Sequence, residues 1–434
     1  KEKNKFYKKN KIKNFEIKEF VKKYFLIIVF KFLNIFQKKN DVVIYNSYIS
    51  GFLNKIILNL KINQIPQIYS YEFYQKNKDK LKRKDLSNSD LENKYFSKRN
   101  FQIKIKLTNN KKFHKILEDL INKMLPNIYL ENFEKLKSLT EKKIFPKYPK
   151  FILTSCPPIL KDEIFKCYIS RKIIDKCKLI MMQHGGVYGT CFFEPTVPRH
   201  EMDVADTFCS WGWGAKQKIK KVPCSLIIND NKKWNKKGKI LLIFTESRKY
   251  FTTFQCDSLW SERSTIYHND QINLINTLPK KILNNLNFRF HPGSQLCRSE
   301  ILNKVSGRNA KIIKDNSIQL NNFSEVMSQH RLLIFNYNST GFIEGIGTNR
   351  PSILFLNNSL MPFNKKEKKI YYELNKVGIL HFNHKSLIKH LNKIYLDVES
   401  WWEDKNVIKA KKLFCNRFAY SNNDYMKSYL NIFD

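Results

Sequence analysis

The sequence predicts an α/β protein of two doubly wound, Rossmann-type domains that face each other across a cleft, with a helical C-terminal segment. Three observations predict it. Apolar runs of strand length alternate with helix-length stretches of mixed polarity. A strand, helix, strand passage at 149–183 implies a parallel pair joined by a right-handed crossover. After the polar, lysine-rich passage NDNKKWNKKGK at 229–239 the same rhythm restarts. The 434 residues suffice for two ordinary domains, each able to bury a core. The expected borders are 1–230, 231–400 and a C-terminal helix at 401–434.

In chain order, YFLIIVFKFLNIF at 24–36 is interrupted by Lys31 and too short to span a bilayer. It reads as a buried helix or strand, with a membrane-surface helix as the alternative. A strand DVVIYN, a helix SGFLNKIILNLKI and the run QIYSYEF follow between 41 and 73. The Lys, Asn and Ser-rich stretch 75–100 reads as an exposed insertion or a polar helix pair. PKFILTS, ILKDEIFKCYISRKII and CKLIMMQ then form the strand, helix and strand of 149–183. In the second domain the expected strands are 239–245, 286–290, AKIIK at 310–314, 331–336 and 351–356, with helices at 270–285, 295–305, 322–329 and 341–347. Residues 362–434 read as mainly helical and carry Trp401 and Trp402.

The residues with chemistry to offer fall where strands end, which is where open parallel sheets bind ligands. QHGGVYG begins at the end of a strand, and its Gly185 and Gly186 permit positive φ and let backbone amides approach a ligand. His184 and Tyr188 supply polar tips, and Glu194, Glu201 and Asp206 are carboxylates within reach of the same passage. Deprotonating an acceptor hydroxyl takes a carboxylate or an imidazole at the cleft. Glu194 is the first candidate and Asp206 the second, with His184 orienting the base or contacting a donor; a solvated loop acid is the competing reading for each. Trp211 and Trp213 either stack on a sugar ring or pack between the domains.

In the second domain, Arg248 follows the first strand and can clamp a phosphate or carboxylate. His291 follows the second strand in FRFHPGS and can donate to a phosphate. In NYNSTGFIEGIG, Asn338, Ser339, Thr340 and Gly341 lead into a helix whose N-terminus favours an anion. Glu344 sits beside that start, placed to accept from ribose hydroxyls, or simply to favour the helix dipole.

QHGGVYG, DTFCSWGWG, RFHPGS and NSTGFIEGIGTNRPSILF, with a late GIL and a WW, resemble a family of transferases found in bacterial surface-polysaccharide (O-antigen) gene clusters. The resemblance runs over about 150–430. The His-Pro and Ser-Thr groups are also similar to those of bacterial Kdo transferases, sialyltransferases and CDP-glycerol glycerophosphotransferases. It implies a GT-B fold and a lipopolysaccharide or related glycan pathway. It also implies a CMP-linked donor, of the acidic ulosonic type, bound in the C-terminal domain without a metal. His291, Ser339 and Thr340 would hold the donor phosphate, Glu344 the ribose, and 184–194 would face the acceptor. The paired-acid-glycine motif of sialyltransferases is absent, so the resemblance assigns no base. The expected reaction is an inverting, metal-independent sugar transfer from a nucleotide-sugar co-substrate to a glycan or lipid-linked glycan. Transfer of glycerol or ribitol phosphate from a CDP-linked donor is the alternative, and non-catalytic polyanion binding a third reading.

Composition bounds the partners. Lys and Arg number 79 against 38 acids, a formal charge of +41. Only 12 of the 79 are Arg, and no nucleic-acid module accompanies them, so nucleic acid is not an expected partner. Peripheral attraction to an anionic membrane is. Nine scattered cysteines without a C-x-x-C pair point to free thiols in a reducing, cytoplasmic setting and away from zinc. The chain begins with Lys, which leaves a segment upstream of it open.

Overall fold

A computed structural model describes residues 42–45, 63–64, 111–124, 129, 132–141, 145–155, 162–190, 196–214, 217–228, 230, 232–245, 262–291, 295–318, 322–357, 359–360 and 363–433. The apolar run 24–36, the helix expected at 50–62 and the insertion at 75–100 lie outside the described residues. The chain divides into two compact units, the first closing at Leu179 and the second holding Ile180–Asp434.

In the first unit, strand β1 (Val42–Tyr45) pairs in parallel with β2 (Asn63–Gln64) and β3 (Phe151–Thr154), in register from Val42 opposite Phe151 to Tyr45 opposite Thr154. The helix Glu163–Ile174 starts where Asp162 accepts from Phe165 N at 2.9 Å, and the first-turn Glu163 suits its dipole. It buries Ile164, Phe165, Cys167, Tyr168 and Ile169. Leu136 of the Phe133–Thr140 helix packs onto Ile164 and Cys167.

The second unit opens within β4 (Lys178–Met182), which pairs in parallel with β5 (Thr207–Ser210), itself paired with β6 (Ile219–Lys221). It also carries a five-stranded parallel sheet of β7 (Ile240–Ile243), β8 (Leu286–Arg289), β9 (Leu332–Phe335), β10 (Ser352–Phe355) and β11 (Leu380–His381), in the order β11-β10-β9-β7-β8. The inner strands ILLI, LLIF and SILF are buried at every residue, whereas the edge strand LNFR alternates. That is the pattern of strands covered on both faces against one that is half covered. Their core continues through Ile275, Ile282, Ile301 and Ile313 of the flanking helices.

Three elements differ from the sequence reading. AKIIK is not a strand but the middle of the helix Gly307–Asp315, because Ala310 and Ile313 share one helical face and Ile313 is buried by it. The fifth strand is β11, two residues of the GILHF run. The helix expected at 270–285 is also longer and broken, into Glu262–Thr277 and Lys280–Asn284 on either side of Pro279.

The compact division at Ile180 differs from the expected border at 230/231, and tertiary bonds explain it. Tyr420 N donates to Trp211 O at 3.0 Å, Cys224 N to Tyr420 O at 2.7 Å and Tyr429 Oη to Pro223 O at 2.6 Å. These sew the C-terminal helices to the β5–β6 region. Within the lysine-rich passage read as the border, Asp230 accepts from fully buried Arg350 at 2.9 and 3.1 Å and from Ser324 Oγ at 2.6 Å. Arg350 holds the Asp230 carboxyl below its ordinary value against the opposing effect of burial. Asp230→Ala strands that guanidinium, with an expected loss of about 3–5 kcal/mol in urea unfolding.

Candidate active site

All strands of the second unit run parallel within their sheets, so each strand's carboxyl end lies on one edge. In the five-stranded sheet the ends of β9, β7 and β8 are neighbours. Asn336, just after β9, joins two of them: its Oδ1 accepts from Thr245 N at 3.2 Å, and its Nδ2 donates to Gln271 Oε1 at 3.1 Å. His291 is exposed at the end of β8, on the same edge. Arg289 lies over the Phe323 ring, 5.0 Å from its centre.

Ser339 takes the N-cap position of the helix Thr340–Gly347 with extended backbone, and its carbonyl accepts from Phe342 N and Ile343 N. Its hydroxyl makes no cap bond. The Thr340 hydroxyl instead accepts from Gly186 N at 3.0 Å. A Cβ on Gly186 would lie 2.4 Å from both Ser339 C and Thr340 N, so only glycine permits this approach. A Cβ on Gly185 would meet nothing nearer than 3.6 Å. Neither glycine uses positive φ, contrary to the expectation; in this loop Gly189 does, at 71°, with the Trp213 ring against it. The diglycine segment and the Ser-Thr helix start therefore touch.

Behind the loop lies a polar array. The ring of Tyr188 sits among His184, Phe208 and Trp213 at centroid distances of 5.3, 5.8 and 6.5 Å. Tyr188 Oη donates to Glu201 Oε2, and His184 Nδ1 is 2.7 Å from the same hydroxyl and 3.5 Å from Glu201 Oε1. Glu201 is 1% exposed and His184 23%. Burial pushes the imidazole down to about 4, so it is neutral at pH 7. Gln183, which the sequence reading did not single out, fixes the loop: its Oε1 accepts from Trp211 N and Trp213 Nε1 at 2.9 and 2.6 Å, and its Nε2 donates to Gly185 O at 2.8 Å. A polar residue ending the buried run LIMM was the available signal.

Glu344 lies in the second turn of the helix. Burial pushes its carboxyl up to about 7, the Asp230 charge adds to the rise, and Arg350 and Lys232 oppose it. Burial also pushes the nearby Tyr337 phenol up to about 12, with Glu344 adding and Arg289 opposing.

Other residues named from the sequence sit elsewhere. Asp206 is exposed at the amino end of β5, level with the start of β4 because Ile180 pairs with Thr207. Along the sheet it is roughly 13 Å from the loop, at about 3.3 Å per residue. Asn338 is buried with Nδ2 donating to Tyr371 Oη at 2.8 Å, so it fixes the turn. A Cβ on Gly341 would lie 3.2–3.3 Å from Phe323, Phe335 and Tyr337, so these side chains leave little room beside it. Trp211 and Trp213 are buried, which favours the packing reading over sugar stacking. Glu194 and Arg248 lie outside the described residues. Among the described residues, no group of three or more His, Cys, Asp or Glu is placed to hold a metal ion.

The contact at Gly186 yields a paired prediction. Gly186→Ala should cost roughly 1–3 kcal/mol by overpacking, and Gly185→Ala should stay within about 0.5 kcal/mol of wild type. Urea unfolding of the two variants side by side measures the difference.

Structure comparison finds distant likenesses. A UDP complex of MnaA from S. aureus is 11% identical with a TM-score of 0.45, over 91% of this chain and 97% of that one. A Listeria monocytogenes structure described as a UDP-N-acetylglucosamine 2-epimerase is 9% identical at 0.46, over 91% and 97%. WaaG, described as a glycosyltransferase involved in lipopolysaccharide biosynthesis, is 10% identical at 0.34, over 90% and 98%. At such scores none of them bears on activity. No curated protein matches the sequence. One family model, that of the LIC12162 family transferases, matches residues 1–433. With nearly the whole length matched, the chain belongs to the LIC12162 family of transferases.

Proposed function

We propose that this transferase is a GT-B-type glycosyltransferase. It moves a sugar from a CMP-linked donor of the acidic, ulosonic type to a cell-surface glycan or lipid-linked glycan, with inversion and without a metal. The observation that carries the reading is the seating of Gly186 on Thr340, which puts a strand-end loop bearing His184 against a helix start suited to an anion. The Ser339 hydroxyl, the first helical amides and His291 take the donor phosphate, Arg248 adds charge, and Glu344 accepts from the ribose. Asp206, on the far edge, drops out as base. Glu194 keeps its place in the reading from the sequence alone. Among the described residues His184 is the group for the acceptor proton: it is neutral at pH 7, partly exposed and set in a loop end.

Cytidine nucleotides should raise the melting temperature, because a ligand of the folded state stabilises it, and His291→Ala should abolish the shift. A shift with UDP or GDP alone removes the cytidine assignment. In turnover of a CMP-linked acidic sugar, His184→Gln should lose roughly 10²–10⁴-fold in kcat.

An acceptor at a membrane surface accords with the first unit. The helix Lys111–Met124 exposes Phe113, Ile116 and Leu120 at 48%, 58% and 46%, a spacing of i, i+3 and i+7 that shares one face. Lys112 and Lys115 are exposed on the same helix. No helix among the described residues is long and apolar enough to cross a membrane. The reading is peripheral contact at the cytoplasmic face. The chain should sediment with phosphatidylglycerol vesicles and not with phosphatidylcholine vesicles, and I116Q with L120Q should release it.

A further inference from the structure

We infer that Tyr188 and Glu201 are positioning residues that hold His184 in the tautomer protonated on Nδ1, so that Nε2 carries the basic lone pair. The inference rests on His184 being the group that takes the acceptor's proton.

A phenol has one proton, and here Tyr188 Oη gives it to Glu201 Oε2. The oxygen then presents a lone pair to His184 Nδ1, 2.7 Å away, and two acceptors cannot hydrogen-bond each other. Nδ1 must be the donor. Glu201 Oε1, 3.5 Å from the same nitrogen, pulls in the same sense. Nε2 is 3.5 Å from the hydroxyl, beyond a good bond. Free histidine in water prefers the opposite tautomer, so the array selects the less common form. It can do so because Tyr188 and Glu201 are buried, at 2% and 1%, where water competes poorly for their bonds.

The hydroxyl is itself held in place. Phe208 and Trp213 stack at the Tyr188 ring, and Trp213 Nε1 is bound to Gln183, which also binds Gly185 O. Among the described residues Tyr188 and Glu201 are the titratable groups placed against the ring.

In the transfer step, the acceptor O–H bond breaks as its oxygen bonds the anomeric carbon, and Nε2 takes the proton. The bond from that carbon to the donor phosphate breaks with its electron pair leaving on the phosphate. The imidazolium keeps its Nδ1–H directed at Tyr188 Oη, with the Glu201 carboxyl beyond, so the charge forms against acceptor oxygens already in place. Release of the proton to solvent resets the ring. Tyr188 and Glu201 touch neither reactant and act only through His184.

The test is ¹⁵N-histidine NMR of the full chain, with His184 assigned by its absence in His184→Gln. The expected result is the Nδ1–H form in wild type and a mixed tautomer in Tyr188→Phe, with melting as the control for folding. Turnover in Tyr188→Phe should fall about 10–100-fold in kcat with KM little changed, and the acidic limb of its pH profile should move. Glu201→Gln keeps an acceptor oxygen and should retain the tautomer with a less basic ring, whereas Glu201→Ala should lose both. Wild-type His184 protonated on Nε2, or a Tyr188→Phe variant with unchanged tautomer and pH profile, overturns the inference. Full turnover by His184→Gln, with wild type showing the Nδ1–H form, would instead overturn the assignment of His184 as base and leave the array as a structural bond.

Discussion

Two stretches of backbone more than 150 residues apart lie so close at Gly186 and Ser339–Thr340 that no side-chain atom fits between them. That approach sets where everything else in the site can be. It aligns the end of β4 with the end of β9, and the Gly186 amide takes one acceptor site of the Thr340 hydroxyl, whose O–H is still able to donate. Charges or stacked rings could hold the same two segments together, but not at backbone distance. Gln183 is the complement on the loop side: one amide group satisfies two buried donors and one carbonyl, converting a glycine-rich turn into a shape with little freedom. A loop of this kind suits preorganised chemistry, in which groups are in place before charge develops.

The sheets were legible in the sequence because parallel strands covered on both faces are written as unbroken apolar runs, such as ILLI and LLIF. AKIIK was not, because five residues with two central isoleucines fit a strand and a helical face equally well, and the Gly307–Asp315 helix wins by burying Ile313. β11 was hidden by its length of two residues. NDNKKWNKKGK has the composition of a linker and lies between the last strand of one sheet and the first of the other, yet its Asp230 answers a buried arginine 120 residues later.

The site divides along a similar line. Residues directly after a strand, such as His184, His291 and Ser339, could be placed from the sequence, since a strand end names an edge of the sheet. Asp206 precedes its strand, and nearness in sequence then misleads, because in a parallel pair the residue before a strand belongs to the opposite edge. The inward turn of Asn338 to Tyr371 and the Tyr188–Glu201 bond depend on tertiary packing, and no local pattern carries them. From the sequence Glu201 was a cleft-loop acid ranked behind Glu194 and Asp206 as base; burial and a phenol partner separate it from the exposed Asp206.

Two of the displaced titrations in the second unit act in opposite senses. His184 falls from 6.5 to about 4, so on its own it makes the fold more stable as pH rises through that window, where only the unfolded chain binds the proton. Glu344 rises from 4.5 to about 7, so on its own it makes the fold less stable as pH rises through its window, where only the folded chain keeps the proton. Between about 4.5 and 6.5 the unfolded chain carries Glu⁻ and HisH⁺ while the folded chain carries GluH and neutral His, one proton in each case. For these two groups the pH dependence of stability therefore cancels over that range, although both charge states are inverted by folding. The gain is chemical: the imidazole is unprotonated and able to accept a proton. The carboxyl beside the helix start is only partly ionised near neutrality, so it places less negative charge there than a full carboxylate would.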